Sequence, residues 1–201
     1  MDFMQIFTLI TGVIYIILEI RQKNFMWVVG IATSLAAMWV FFRQGLYASF
    51  GLNTYYLVTA FVGLWQWGKD RQRLGIAASK KAKSAKKGQP AIHLNHLSWQ
   101  TVLISLVVMI VGTYGMAQLM ELLENPMSYL DSAVTVMSVV ATWWLVRAYI
   151  QQWWLWIVAD ALSAALCASQ GMWLMTVLYG AYSLSAIYGY IHWKRHGQYI
   201  K

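Results

Sequence analysis

Two stretches decide the fold: LNTYYLVTAFVGLWQW at Leu52–Trp67 and LYGAYSLSAIYGYIHW at Leu178–Trp193. They lie 126 residues apart, and Leu52, Tyr56, Ala60, Gly63 and Trp67 match Leu178, Tyr182, Ala186, Gly189 and Trp193. The shared pattern L-x3-Y-x3-A-x2-G-x3-W steps by three and four, which puts all five side chains on one helical face. At the same offset Gln44-Gly45 meets Gln170-Gly171, Ile31 meets Ile157, Val13 meets Val139 and Arg21 meets Arg147. From residue 30 to 67 this gives 8 identities in 38 pairs, which reads as an internal duplication. Gly63 and Gly189 suit close helix approach. Close approach does not account for Tyr56 and Tyr182 on the same interior face.

Composition says what surrounds the duplication. Apolar residues make up 60% of the 201 residues and charged residues 11%. An ordinary soluble domain carries about 45–50% and about 25%, so a soluble domain is excluded. Seven apolar runs of spanning length are expected: Phe3–Ile20, Phe25–Phe42, Leu52–Trp67, Ser98–Met120, Leu130–Val146, Trp153–Ser169 and Met172–Trp193. The two prolines, Pro90 and Pro126, fall between runs, and the single cysteine, Cys167, excludes an internal disulfide. The first run is not a cleaved signal peptide, because it lacks a basic leader and carries Glu19 near its end.

The basic residues set orientation. Seven spans place Arg21, Lys23, the bases of Lys69–His96, Arg147, Lys194, Arg195 and Lys201 on one side, 14 of the 15 Lys and Arg. The other side keeps Arg43 with Asp2, Glu121, Glu124 and Asp131. The positive-inside rule then puts the N-terminus outside and the C-terminus in the cytoplasm. The lysine-rich Lys69–His96 segment is expected to be a solvated linker and topology signal, not a nucleic-acid site. His93-x-x-His96 is expected to be its wet end, since no Cys or Glu completes a metal set.

The expected fold is therefore an all-α polytopic membrane protein with seven transmembrane helices. Residues 1–68 form one three-helix repeat, 69–97 the linker, 98–126 the fourth helix, 127–194 the second repeat and 195–201 a cytoplasmic tail. An odd linking helix restores the starting side, so the two repeats run parallel about an axis along the membrane normal. Such 3+1+3 folds hold substrate where the halves meet, near the midplane.

One residue carries chemistry at that depth. Asp160 lies nine residues beyond Gln151, so about 13 Å into a core about 30 Å thick. A carboxylate there is costly unless it faces protein or water, which makes function the default reading. Trp153, Trp156 and Asp160 follow at i, i+3 and i+7, one stripe of two indoles and an acid. Indole faces attract cations and stack on flat rings. A carboxylate pairs with a positive ring or accepts bonds from hydroxyls. The stripe suits a flat, cationic, hydroxyl-bearing ligand. The structural alternative is a helix-to-helix bond for Asp160 and interfacial anchoring for Trp153.

The W-x-x-W-x-x-x-D motif at Trp153, Trp156 and Asp160 resembles the W-x-x-W-x-x-x-N/D signature of PnuC-type vitamin transporters. Asp131-Ser132 through Gln170-Gly171, and Leu46-Tyr47-Ala48-Ser49 in the first half, resemble the same family. The resemblance implies a SWEET-like fold, uptake of nicotinamide riboside by facilitated diffusion, trapping by a cytoplasmic kinase, and a homotrimer. It implies that Trp153 and Trp156 contact the nicotinamide or ribose and that Asp160 bonds the ribose. Asn53, Tyr56, Tyr179 and Tyr182 are nominated to complete the pocket. The chain departs from the family at Ala60, where an Asn is expected, and near Leu178. Thiamine, another flat cation taken by relatives, therefore stays open beside nicotinamide riboside.

Other classes fit less well. No H-E-x-x-H, G-x-S-x-G or Gly-rich phosphate loop supports an enzyme. No lysine lies in Met172–Trp193 to hold retinal. A sugar uniporter would not require the acid. No cofactor or metal is expected. With no second mid-depth acid to form a proton relay, uniport is favoured over symport.

Overall fold

The computed structural model describes residues 14–43, 47–81, 92–122 and 129–200. Seven helices are described: α1 (residues 14–20), α2 (Phe25–Arg43), α3 (Tyr47–Lys81), α4 (Trp99–Leu122), α5 (Tyr129–Val146), α6 (Gln152–Ser169) and α7 (Trp173–His196). Two short strands, β1 (Ile92–Leu94) and β2 (Gly197–Tyr199), pair in parallel with His93 opposite Gln198. Residues 3–13 of the first expected span lie outside the described residues. Trp99–Leu122, Tyr129–Val146 and Trp173–His196 are long and apolar enough to cross a membrane by length and composition.

Two differences from the sequence reading concern the linker. α3 does not stop near Trp67 but runs 35 residues to Lys81. At 1.5 Å per residue that is about 50 Å, well beyond a hydrocarbon core. Its polar continuation is rich in Ala, Leu, Lys, Arg and Gln, which favour helix whether or not they are apolar. The end of the expected solvated linker is buried instead: Ile92, His93 and Leu94 are 6%, 0% and 2% exposed. A buried strand must satisfy its backbone groups on both edges, and β1 does so with β2 and with Gln22.

The chain divides into two compact units. The first comprises Met1–Leu94, Val146–Ala148 and Arg195–Lys201. Within it the α1–α2 turn closes with Lys23 N–H donating to the Leu18 carbonyl at 2.9 Å, while Gln22 adopts a left-handed φ of 48°. Trp27 then enters α2 and lays its indole against Gly63 of α3. A Cβ on Gly63 would stand 2.5 Å from that ring. Trp67, one turn on, meets Trp27 edge-on with centroids 5.0 Å apart. All three residues are buried.

The second unit comprises Asn95–Leu145 and Tyr149–Lys194. α4 joins α5 through the Trp144 indole N–H, which donates to the Ser105 hydroxyl at 3.0 Å. Most of α4 is left outward: Ile104, Val107, Ile110 and Val111 are exposed, an apolar surface that only lipid or protein covers favourably. Tyr149 N–H donates to the Trp144 carbonyl at 3.0 Å, and Ala148 in the turn between them, which groups with the first unit, takes a φ of 53°. Trp153 lies against Gly189, where a Cβ would stand 2.5 Å from the ring, and meets Trp193 edge-on at 5.4 Å. Each of these residues carries a number 126 above its counterpart in the first unit. The duplication therefore repeats a packing device: a left-handed turn, a tryptophan five residues later, and a glycine and second tryptophan that receive it. Trp27 and Trp153 belong to the repeat although they fall outside the two stretches that first reveal it.

Candidate functional site

α6 begins just after the turn at Gln151, so Trp153 falls in its first turn and Asp160 in its middle. The two differ in environment. Trp153 is buried between Gly189 and Trp193, so its ring holds α6 against α7. Trp156 and Asp160 are half-buried on the same stripe. The Trp156 Nε1 is shielded from solvent and has no hydrogen-bond partner. Among the described residues no hydrogen bond or ion pair reaches the Asp160 carboxylate. The described residues thus supply no bond from Asp160 to a neighbouring helix, the structural alternative that the sequence leaves open.

α7 supplies the facing groups. The Ser183 hydroxyl donates to the Ile157 carbonyl at 3.2 Å, fixing α7 beside the residue that follows Trp156. Tyr179 and Tyr182, one turn apart, meet edge-on at 6.2 Å, and both interact electrostatically with Asp160. Asp160, Tyr179 and Tyr182 are therefore brought together by one helix pair within the second unit, with Trp156 one turn before Asp160 on α6. Indole and phenol faces beside an unpartnered carboxylate can hold a flat cation, and the free indole N–H and carboxylate can bond hydroxyls.

Asn53 and Tyr56 belong to α3 of the first unit and are half-buried there. Tyr55 and Tyr56 meet at 5.7 Å. The positions that correspond to Trp156 and Asp160 are Gly30 and Ser34. The Tyr15 ring fills the space at Gly30, 3.6 Å from where a Cβ would sit. Duplication has kept the packing device in both units and placed the indole and carboxylate in the second alone.

A polar group missed in the sequence lies on α3 just beyond Trp67. Asp70 is buried, accepts both contacts of the Gln66 amide at 3.2 and 3.1 Å, and faces His93 Nε2 at 3.7 Å. Burial pushes the His93 pKa down to about 4, with Arg71 acting in the same direction and Asp70 against it. His93 is therefore neutral near pH 7. The expected wet linker end is met at His96, which is exposed, and fails at His93, because no periodic pattern marks a three-residue strand.

The sequence profile described as Nicotinamide mononucleotide transporter matches residues 2–195. The chain belongs to this family. Within it, the "Nicotinamide riboside transporter PnuC" of Haemophilus influenzae is 27% identical over 187 residues, 92% of this chain and 76% of the relative. The Neisseria mucosa protein of the same name is 27% identical over 198 residues, 93% and 72% of the two chains. The Escherichia coli protein is 26% identical over 165 residues, 77% and 69%. A solved structure described as "Crystal structure of the Vitamin B3 transporter PnuC" superposes with a TM-score of 0.64 at 24% identity, covering 94% of this chain and 80% of that one. The resemblance to PnuC-type transporters holds, and the matched relatives are named as transporters, not enzymes. With its apolar helices, the family member is a multi-pass membrane protein.

Proposed function

We propose that this chain takes up nicotinamide riboside across the bacterial inner membrane. The observation that carries the reading is an unbonded indole donor, Trp156, one turn before Asp160, a carboxylate that has no hydrogen bond among the described residues and interacts electrostatically with Tyr179 and Tyr182. The names of the relatives support the substrate. The Trp156 and tyrosine rings take the pyridinium face, and Asp160 accepts bonds from the ribose hydroxyls. Trp153, at the start of α6, joins Trp156 in contacting the nicotinamide or ribose.

The architecture in this proposal is the 3+1+3 parallel repeat, supported by the packing device found in both units. N-terminus outside and C-terminus inside follow from the placement of basic residues. Transport is facilitated diffusion by alternating access, supported by the lack of a second mid-depth acid in the sequence. A cytoplasmic kinase traps the product, and the assembly is a homotrimer in the bilayer, both by analogy with the family.

Calorimetry of the purified protein with nicotinamide riboside, thiamine and glucose in parallel tests the proposal. Binding of nicotinamide riboside alone is the expected result. Binding of thiamine alone moves the chain to the thiamine-type relatives. Binding of none of the three rejects the site.

A further inference from the structure

The buried polar group on α3 just beyond Trp67 takes no part in the proposed substrate site, yet each of its members is held by another part of the first unit. Gln22, at the left-handed position of the α1–α2 turn, turns its side-chain amide onto β1 like the edge of a neighbouring strand. Its Nε2 donates to the His93 carbonyl at 2.9 Å, and the His93 N–H donates to its Oε1 at 2.8 Å. The other edge of β1 is taken by β2, and Ile200 N–H extends the ladder to the Leu94 carbonyl at 2.9 Å. Arg71 of α3 donates to the Gln22 carbonyl. The His93 ring fills the space between Asp70 and Trp67, whose ring it meets edge-on at 5.5 Å. Trp67 in turn meets Trp27. One three-residue strand thus touches the α1–α2 turn, α3 and β2 together. The corresponding turn position in the second half is Ala148, which has no side chain able to bond a strand.

We propose that β1 is a latch, closed on one edge by Gln22 and on the other by β2, which keeps the Asp70–His93 pair dry and joins the α1–α2 turn to α3 so that the first unit moves as one body in transport. The latch has two independent edges, so each can be opened alone. Ile200→Pro removes the ladder donor beyond β2 without touching a helix. Gln22→Ala removes both side-chain bonds on the other edge.

The test places Leu94→Cys, a position 2% exposed, in a Cys167→Ala background and follows maleimide labelling of the purified protein in detergent. Slow labelling with the latch intact, rising about tenfold or more with either Ile200→Pro or Gln22→Ala, is the expected result. Unchanged labelling in both variants overturns the latch. The same two substitutions, in the chain with Leu94 retained, are then assayed for uptake of radiolabelled nicotinamide riboside at equal membrane level. Loss of more than half the uptake is expected. Full uptake with raised labelling overturns the role in transport. This second readout rests on the proposed substrate; absence of uptake by the unaltered chain rejects that substrate and leaves the labelling result standing.

Discussion

Trp153 rests on Gly189 so closely that a Cβ there would stand 2.5 Å from the indole, and Trp27 rests on Gly63 at the same 2.5 Å. A glycine that receives a ring brings two helices together and hides the ring from lipid. The cost is visible too: the Nε1 atoms of Trp27 and Trp153 are buried without hydrogen-bond partners. A buried unmade bond costs about 1–3 kcal/mol, so the ring packing must return more than that.

Gly189→Ala is therefore expected to destabilise the protein by about 1–3 kcal/mol, the usual cost of overpacking. Gly63→Ala should do the same. Pairing Gly189→Ala with Trp153→Phe, which shortens the ring, should recover part of the loss. Thermal unfolding in detergent followed by circular dichroism checks this. An unchanged midpoint for both alanine variants would mean that the rings do not seat on the glycines.

Asp160→Ala and Trp156→Ala are each expected to weaken nicotinamide riboside binding by at least about tenfold, or about 1.4 kcal/mol. The Trp156 Nε1 has no hydrogen-bond partner to lose, and none is found for Asp160 among the described residues, so melting should change much less than affinity. Calorimetry and melting on the same preparations separate the two effects. Wild-type affinity in both variants would remove these residues from the site.

Much of this was legible from the sequence because the membrane reduces the alternatives. Apolar runs had to be helices, and the faces of Leu52–Trp67 and Leu178–Trp193 named their own interior. Asp160 stood out because charge at depth is costly. What escaped notice was short or depended on the tertiary fold. Trp27 and Trp153 match at the repeat offset, yet a tryptophan in an apolar run carries no sign that a glycine 36 residues later will receive it. Helix continued past Trp67 because helix propensity does not require apolarity. β1 is three residues long, and its burial depends on Gln22 and β2, which lie 71 and 105 residues from it.

The buried His93 makes stability sensitive to acid. Its pKa in the fold is pushed down to about 4, below the ordinary value of 6.5. The unfolded chain therefore binds a proton more readily, and stability present above pH 6.5 is lost as pH falls toward 4. Linkage gives a loss of about 2 kcal/mol between pH 7.5 and pH 5. His93→Gln, which cannot titrate, should flatten that part of the curve. Melting midpoints at the two pH values in both proteins provide the measurement, and equal acid sensitivity would show that other groups control it.

Gln22 and Ala148 take the same left-handed backbone, with φ of 48° and 53°, at positions 126 apart, yet glycine should be far more costly at the first than at the second. A non-glycine residue in this region is strained by about 1–2 kcal/mol. Ala148→Gly removes that strain, adds unfolded-state entropy of about 0.4–1 kcal/mol and loses a fully buried methyl worth about 0.8 kcal/mol. The net expectation is a change within about 1 kcal/mol of zero. Gln22→Gly removes the same strain but leaves the His93 N–H and carbonyl without their partners. Two buried groups at about 1–3 kcal/mol each outweigh the relief, so a net loss of about 2 kcal/mol is expected. If both glycine variants melt higher than the parent, the Gln22 amide does not hold β1, and the backbone alone accounts for the turn.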